Sequence, residues 1–271
     1  MDFLGAMTRD SYVKQWTTNP EDRFVSTELP AFDEEYFEWI DLLEAVVHSR
    51  SGFAMIELGA GWGRWLARAG VALRVLHRSS YKLIGVEAEP THFGWMVEHL
   101  KENGLDNKDC LLIQAAVTDR DGQVRFYVGR ADEWYGQAVA GPAPMGPIWS
   151  KLRRFVGQAL KRGSPDGIAE VRALSLNTIL RDLDRVDLID LDVQGVELSV
   201  LESAAAEINK KVERIHIGTH SPEIESGLRG MFDRLGWSCL CDYAMGGHRQ
   251  TPYGQIAFQD GVQSWVNPHL Q

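Results

Sequence analysis

Three glycines at alternate positions, Gly59, Gly61 and Gly63, follow Glu57 and Leu58 where an apolar run ends. Glycines placed this way remove side chains where the backbone turns, so that a bound cofactor can lie against it. The spacing does not fit a dinucleotide fingerprint, whose third glycine would fall on Arg64. Glu87 closes the next apolar run, and a carboxylate there can accept hydrogen bonds from vicinal ribose hydroxyls. Glu89 is read as its solvent-exposed twin. Ala115 and Ala116, after a third apolar run, leave room for a flat adenine ring. Farther on, Asp190 and Asp192 alternate along a fourth run, and His216 and His220 share one parity at the end of a fifth. Carboxylate and imidazole at such positions are suited to taking a proton from a substrate or orienting it.

The segments that must position these residues alternate between the strand and helix periods. Strands are predicted over 53–58, 82–87, 111–117, 186–192 and 212–219. Helices are predicted over 32–48, 62–78, 91–103, 195–209 and 222–235. Such alternation predicts βαβ units around a mainly parallel sheet, with the functional residues at the carboxyl ends of its strands. Two further strands near 237–243 and 255–259, joined by a glycine-containing turn, are expected to close the far edge as an antiparallel pair. Strands over 122–128 and 170–174 bracket an insert too long for a plain connection. It is read as a lid: a Gly/Pro-rich loop carrying Trp134, Tyr135 and Gln137 toward substrate, then an amphipathic helix over 148–162. Residues 1–50 are expected to form an N-terminal helical segment and 51–271 the main domain, with the lid over about 129–169.

The chain has 271 residues, of which 44% are hydrophobic and 24% charged, enough for one sizeable core. A formal net charge of −10 argues against a broad nucleic-acid-binding face. Lys151, Arg153, Arg154, Lys161 and Arg162 form a local basic patch on the predicted lid helix, read as a solvated face. No apolar run is long enough for a membrane span, and the first ten residues lack a signal-peptide pattern, so the expected location is the cytoplasm. Cys110, Cys239 and Cys241 form neither a CxxC pair nor an even set, and are expected to be reduced thiols.

Glu57 to Gly63 resembles the E/DxGxGxG turn of class I methyltransferases. The segments IELGAGWG, LIGVEAEP, QAAVTDRDGQVRFYV and LIDLDVQGVELSVLESA resemble the FkbM-type methyltransferases over roughly 53–243. The family pattern D-V-E/Q-G-x-E-x-x-x-L-x-G/S-A is met by Asp192, Val193, Gln194, Gly195, Glu197, Leu201, Ser203 and Ala204. It commonly has lysine where Asp190 stands here. The resemblance implies an α/β, Rossmann-like class I methyltransferase fold, with a mainly parallel seven-stranded sheet, a terminal antiparallel strand and an inserted lid. It also implies S-adenosylmethionine, with Glu57, Gly59, Gly61, Gly63, Glu87, Ala115 and Ala116 on the cofactor side. The implied reaction is O-methylation of a small metabolite, such as a sugar or polyketide hydroxyl. Asp192, His220 and Asp190 are the catalytic candidates, Asp192 as base or ion ligand; magnesium is left open, because Asp192 and His220 alone are too few ligands. Glu197 is read as favouring a helix dipole. An NAD-dependent enzyme on a similar fold and a catalytically silent cofactor-binding protein are the alternatives. Neither the acceptor nor the oligomeric state follows from the sequence.

Overall fold

The run Phe53–Leu58 forms β1, the central strand, covered on both faces as its near-continuous apolar character requires. The computed structural model of the chain describes residues 1–12, 29–50, 52–106, 108–127 and 168–270. β1 pairs in parallel with β2 (Tyr81–Glu87) on one side and β7 (Leu188–Leu191) on the other. β3 (Cys110–Gln114) extends the sheet beyond β2, and β8 (Arg214–Thr219) extends it beyond β7, both in parallel. Next comes β12 (Gly261–Val266), antiparallel to β8 and to the edge strand β9 (Ser238–Tyr243). The order is β3-β2-β1-β7-β8-β12-β9. The expected mainly parallel seven-stranded sheet, with one reversed strand last in chain order, is therefore present.

Strand alternation sets the two main apolar clusters on opposite faces of the seven-stranded sheet, with smaller ones around Phe37 and Phe126. On one face α1 (Tyr36–His48), α2 (Arg64–Val75) and α3 (Pro90–Glu102) pack Leu42, Trp65, Leu66 and Met96 against Met55 and Leu188. On the other, α4 (Leu176–Leu180), α5 (Glu197–Ser203), α6 (Ala205–Lys211) and α7 (Pro222–Leu235) pack around Ile56, Leu58, Ile189 and Ile217. α7 shows how local sequence sets a helix: the Ser221 hydroxyl accepts from the Ile224 amide (3.2 Å), Pro222 opens the first turn, and left-handed Gly236 ends the last.

Three expectations need correction. The predicted strand 111–117 splits at Ala115, whose amide donates to the last carbonyl of β2, Glu87 (2.9 Å). With β2 exhausted, β4 (Ala116–Thr118) joins β6 (Ile168–Ser175) and β5 (Gly122–Tyr127) in a separate sheet. Residues 255–259 do not close the main sheet; β11 (Gly254–Phe258) forms a hairpin with β10 (Gly247–Thr251). The closing strand is β12, hidden in the sequence by Gln263 and Ser264, which are buried and hydrogen-bonded rather than exposed. The predicted helix 195–209 breaks at Ala204 into α5 and α6. The lid helix over 148–162 lies outside the described residues, as does most of the lid. Among the described residues, no helix is long and apolar enough to cross a membrane.

A polar row crosses the sheet beneath α1. Glu57, Asp190, His216 and Ser264 are register neighbours on β1, β7, β8 and β12. α1 meets the row with Asp41, which accepts from Arg214 (2.6 Å), Ser264 Oγ (2.7 Å) and His216 Nδ1 (2.7 Å). Burial works to raise the Asp41 carboxyl, but His216 and Arg214 outweigh it and hold it below its ordinary value. Burial likewise opposes protonation of His216, and the Asp41 carboxylate reverses this, raising the imidazole above its usual range. His216 thus contributes stability that is complete below its unfolded value of about 6.5 and is lost as pH rises through its folded value. Asp41→Ala removes the buried acceptor of His216 and leaves Arg214 with Glu44 alone, and is predicted to cost about 3–5 kcal/mol. Urea unfolding at neutral pH measures it, and the variant should also lose the decline in stability on the alkaline side of 6.5.

Candidate active site

A cavity of about 300 Å³ opens among residues that end β1, β2 and β7, where open α/β sheets take their ligands. Gly59, Gly61 and Gly63 all have positive φ (77°, 53° and 69°) and turn the chain from β1 into α2. A Cβ on Gly59 would stand 1.8 Å from the carbonyl oxygen of Asp192, so the turn and the end of β7 touch backbone to backbone. At Gly63 a Cβ would meet the Met96 and Leu100 side chains of α3 at 2.7 Å. The glycine pattern is thus needed partly for packing and partly for the opening itself.

Glu57 is buried behind the turn and accepts from the Trp65 and Leu66 amides (3.3 and 2.9 Å), anchoring the free amides that open α2. Burial, with the charge of Asp190, pushes its carboxyl well up. Glu87 is also buried and lines the cavity. Its two oxygens accept from the Gly61 amide (2.8 Å) and the Glu89 amide (2.7 Å), which ties the end of β2 to the glycine turn. Burial raises its carboxyl to about 7, the two amides offsetting only part of the effect. Glu89 is not solvent-exposed; it is 3% exposed and caps α3 by accepting from the His92 amide (2.6 Å). Ala115 and Ala116 line the cavity with Ala88 and Phe126, forming an apolar wall.

Asp190 lies deep, 5% exposed, and exchanges a hydrogen bond with Glu38 of α1. Burial raises both carboxyls; the charge of Asp190 lifts Glu38 further, while His216 and the hydrogen bond with Glu38 hold Asp190 to about 6, so that one proton is shared between them. Glu38 escaped the sequence analysis because it looks like one more acid on the polar side of an amphipathic helix. Asp192 stands at the mouth with its side chain 54% exposed. Its Oδ1 accepts from the Gln194 side chain (3.0 Å), while His220 Nε2 lies 3.3 Å away. His220 is largely buried behind Asp192 rather than lining the cavity, and its Nδ1 meets Glu197 Oε1 at 2.7 Å. Asp192, Asp190, Glu57, Gly59, Gly61, Glu87, Ala115 and Ala116 thus meet at one cavity. Trp134, Tyr135 and Gln137 lie outside the described residues.

Two triads, Glu38/Asp190/His216 and Asp192/Glu197/His220, bring possible ligand atoms within 4.8 Å of one another. In both, a ring nitrogen of the histidine is already engaged by a carboxylate. In the second, Glu197 and Asp192 face opposite edges of the imidazole ring, and in the first His216 Nδ1 is engaged by Asp41. A hard cation wants several oxygens on one centre, so these groups read as hydrogen-bonded chains, and the magnesium left open by the sequence gains no support.

The sheet order with its single reversed strand, and a glycine turn facing an acidic residue on the next strand, define a Rossmann-like class I methyltransferase. The Methyltransferase FkbM domain matches residues 58–243, and the chain belongs to that family, with methyl transfer as its class of reaction. A relative from Jannaschia sp. (strain CCS1), named "Putative methyltransferase", is 28% identical over 207 residues, covering 76% of this chain and 69% of its own. Among solved structures, Methyltransferase FkbM from Methylobacillus flagellatus KT superposes with a TM-score of 0.48 at 14% identity. That match covers 81% of this chain, which spans only 45% of the other protein's length. The C-terminal domain of precorrin-6Y C5,15-methyltransferase from Rhodobacter capsulatus gives a TM-score of 0.45 at 12% identity, covering 92% of this chain and 96% of that one.

Gly59→Ala places a side chain on a left-handed backbone and against the Asp192 carbonyl. It should cost at least about 1–3 kcal/mol from the backbone conformation alone. A thermal-unfolding midpoint matching that of the unmodified protein would show that the turn can open without the glycine.

Proposed function

We propose that the protein transfers a methyl group from S-adenosylmethionine to a hydroxyl oxygen of a small metabolite. The observation that carries this reading is the junction of the glycine turn, Glu87 and Asp192 at one cavity. The residues fit the cofactor: Gly59 and Gly61 leave backbone exposed at the turn, Glu87 has acceptor capacity left for ribose hydroxyls, and Ala88, Ala115 and Ala116 suit an adenine face. The cofactor, when bound, supplies an electrophilic methyl group on a positively charged sulfur. Asp192 then has two tasks, to align the acceptor oxygen and to receive its proton.

The charge around the cavity supports the choice of acceptor. Glu34, Glu35, Glu38, Glu57, Glu87, Asp190, Asp192 and Asp260 line it, against Arg64, His92 and His216. Arg64 is already paired with Glu35 at 2.5 Å. Even with a shared proton at Glu38 and Asp190, Glu57 held neutral by burial and Glu87 partly protonated, the remaining carboxylates at the mouth attract a sulfonium and repel a polyphosphate backbone. An uncharged or cationic hydroxylated molecule suits it, and a nucleic acid does not.

Calorimetry with S-adenosylhomocysteine, with NAD as control, tests the cofactor; binding of NAD alone would select the dehydrogenase alternative. Methyl transfer from labelled S-adenosylmethionine into a panel of hydroxylated metabolites then tests the reaction. Asp192→Ala should abolish transfer and leave S-adenosylhomocysteine affinity intact, whereas full turnover in that variant would remove Asp192 from the chemistry. Because ribose recognition uses the Glu87 carboxylate, and its carboxyl sits at about 7, affinity should rise with pH up to neutrality and then level off. Glu87→Gln should be weaker and flat in pH.

A further inference from the structure

Glu197 is the most deeply buried carboxylate among the described residues, 0% exposed. It occupies the first turn of α5 but does not serve that helix's own amides. Its Oε1 accepts from the Gly195 amide (2.8 Å), which precedes the helix, and from His220 Nδ1 (2.7 Å). Its Oε2 is buried with no hydrogen-bond partner among the described residues. A carboxylate held this way is costly to the fold, and glutamine or leucine would fill the space without the charge. Beyond it His220, its side chain 14% exposed, presents Nε2 at 3.3 Å from Asp192 Oδ1, buried and without the alignment of a full hydrogen bond. Asp192 Oδ1 also accepts from Gln194, and no described residue partners its Oδ2.

We propose that Glu197 is a positioning residue for the transfer: acting through His220, it holds the Asp192 carboxylate turned so that Oδ2 meets the acceptor hydroxyl. The proposal rests on Asp192 receiving the acceptor. As the acceptor oxygen forms its bond to the methyl carbon, the carbon–sulfur bond breaks and sulfur keeps the electron pair. The hydroxyl proton passes to Asp192 Oδ2 and then to solvent, and the imidazolium keeps its own proton on Nε2. The groups facing His220 are Asp192 after β7, Glu197 on α5 and Asp260 before β12. Burial depresses the imidazole, but these three carboxylates outweigh it and lift the ring to about 10. His220 is thus a cation at neutral pH, a clamp on Asp192 and not itself the base.

The test is a nitrogen-15 NMR titration of the His220 ring in the full chain, beside calorimetry with S-adenosylhomocysteine and methyl transfer to whichever acceptor the panel yields. In the unmodified protein the ring should stay doubly protonated through pH 8 and titrate near 10. In Glu197→Gln the midpoint should fall by about one to three units. The kcat should drop by about tenfold to a hundredfold with KM little changed. Glu197→Asp should restore most of both. A ring that titrates near its ordinary value in the unmodified protein, or an unchanged midpoint in Glu197→Gln, overturns the proposal. Should Glu197→Gln fail to fold, the unmodified ring and Glu197→Asp still decide. Failure of the unmodified protein to bind S-adenosylhomocysteine would overturn the cofactor reading instead, with the ring titration standing on its own.

Discussion

The close approach of β1 to β7 at their carboxyl ends is the constraint on which the site depends. The Asp192 amide donates to the Leu58 carbonyl (2.9 Å), and the Asp192 carbonyl occupies the space a Gly59 side chain would need. The glycine turn and the acid at the cavity mouth are thus two surfaces of one backbone contact. Neither can shift without the other, so their spacing is set by strand pairing, which is stiff, and not by loops. Glu87 extends the arrangement from the other neighbour of β1 by binding the Gly61 amide. The three strands therefore deliver their functional ends as a unit.

Much of this arrangement was legible in the residues. The glycine spacing, with Arg64 where a third dinucleotide glycine would stand, separated the cofactor classes, and strand ends placed Glu87 and Asp192 at one opening. What escaped detection was polar and buried. Gln263 and Ser264 broke the apolar pattern of β12, because a pattern reader takes polar residues to face water. Glu38 and Asp41 looked like the wet side of α1, and Glu89 like a solvent-facing acid. Glu197 looked like a helix-dipole residue. Apart from Glu89, which caps its own helix at the His92 amide, each has a partner distant in sequence, and a local window contains no trace of it.

These buried polar groups also show that the site is wider than the stretch that defines the family. α1 and β12 both lie outside residues 58–243, yet α1 supplies Glu38 to the cavity and β12 carries Ser264, which binds the Asp41 that docks α1. The row from Glu57 to Ser264 joins the two. Because the row and its neighbours on α1 are acidic and mostly shielded from water, a few basic groups decide the balance: His216 within the row, Arg214 beside it and His220 just after β8. The same low-dielectric setting makes each of those pairings strong and each missing partner costly.

The position of β12 also governs the order in which the molecule can be assembled. It is the last strand along the chain, but it lies inside the sheet, between β8 and β9. On a ribosome, β9 emerges with no strand to pair with, and its edge stays open until residues 261–266 follow and wedge between it and β8. Ser264 and the far end of the polar row arrive at the same moment, so the seat of α1, made first, is finished last. Vectorial synthesis therefore leaves the seat of α1 open until residues 261–266 have been made, and the long sequence separations involved make that closure slow relative to the earlier βαβ units.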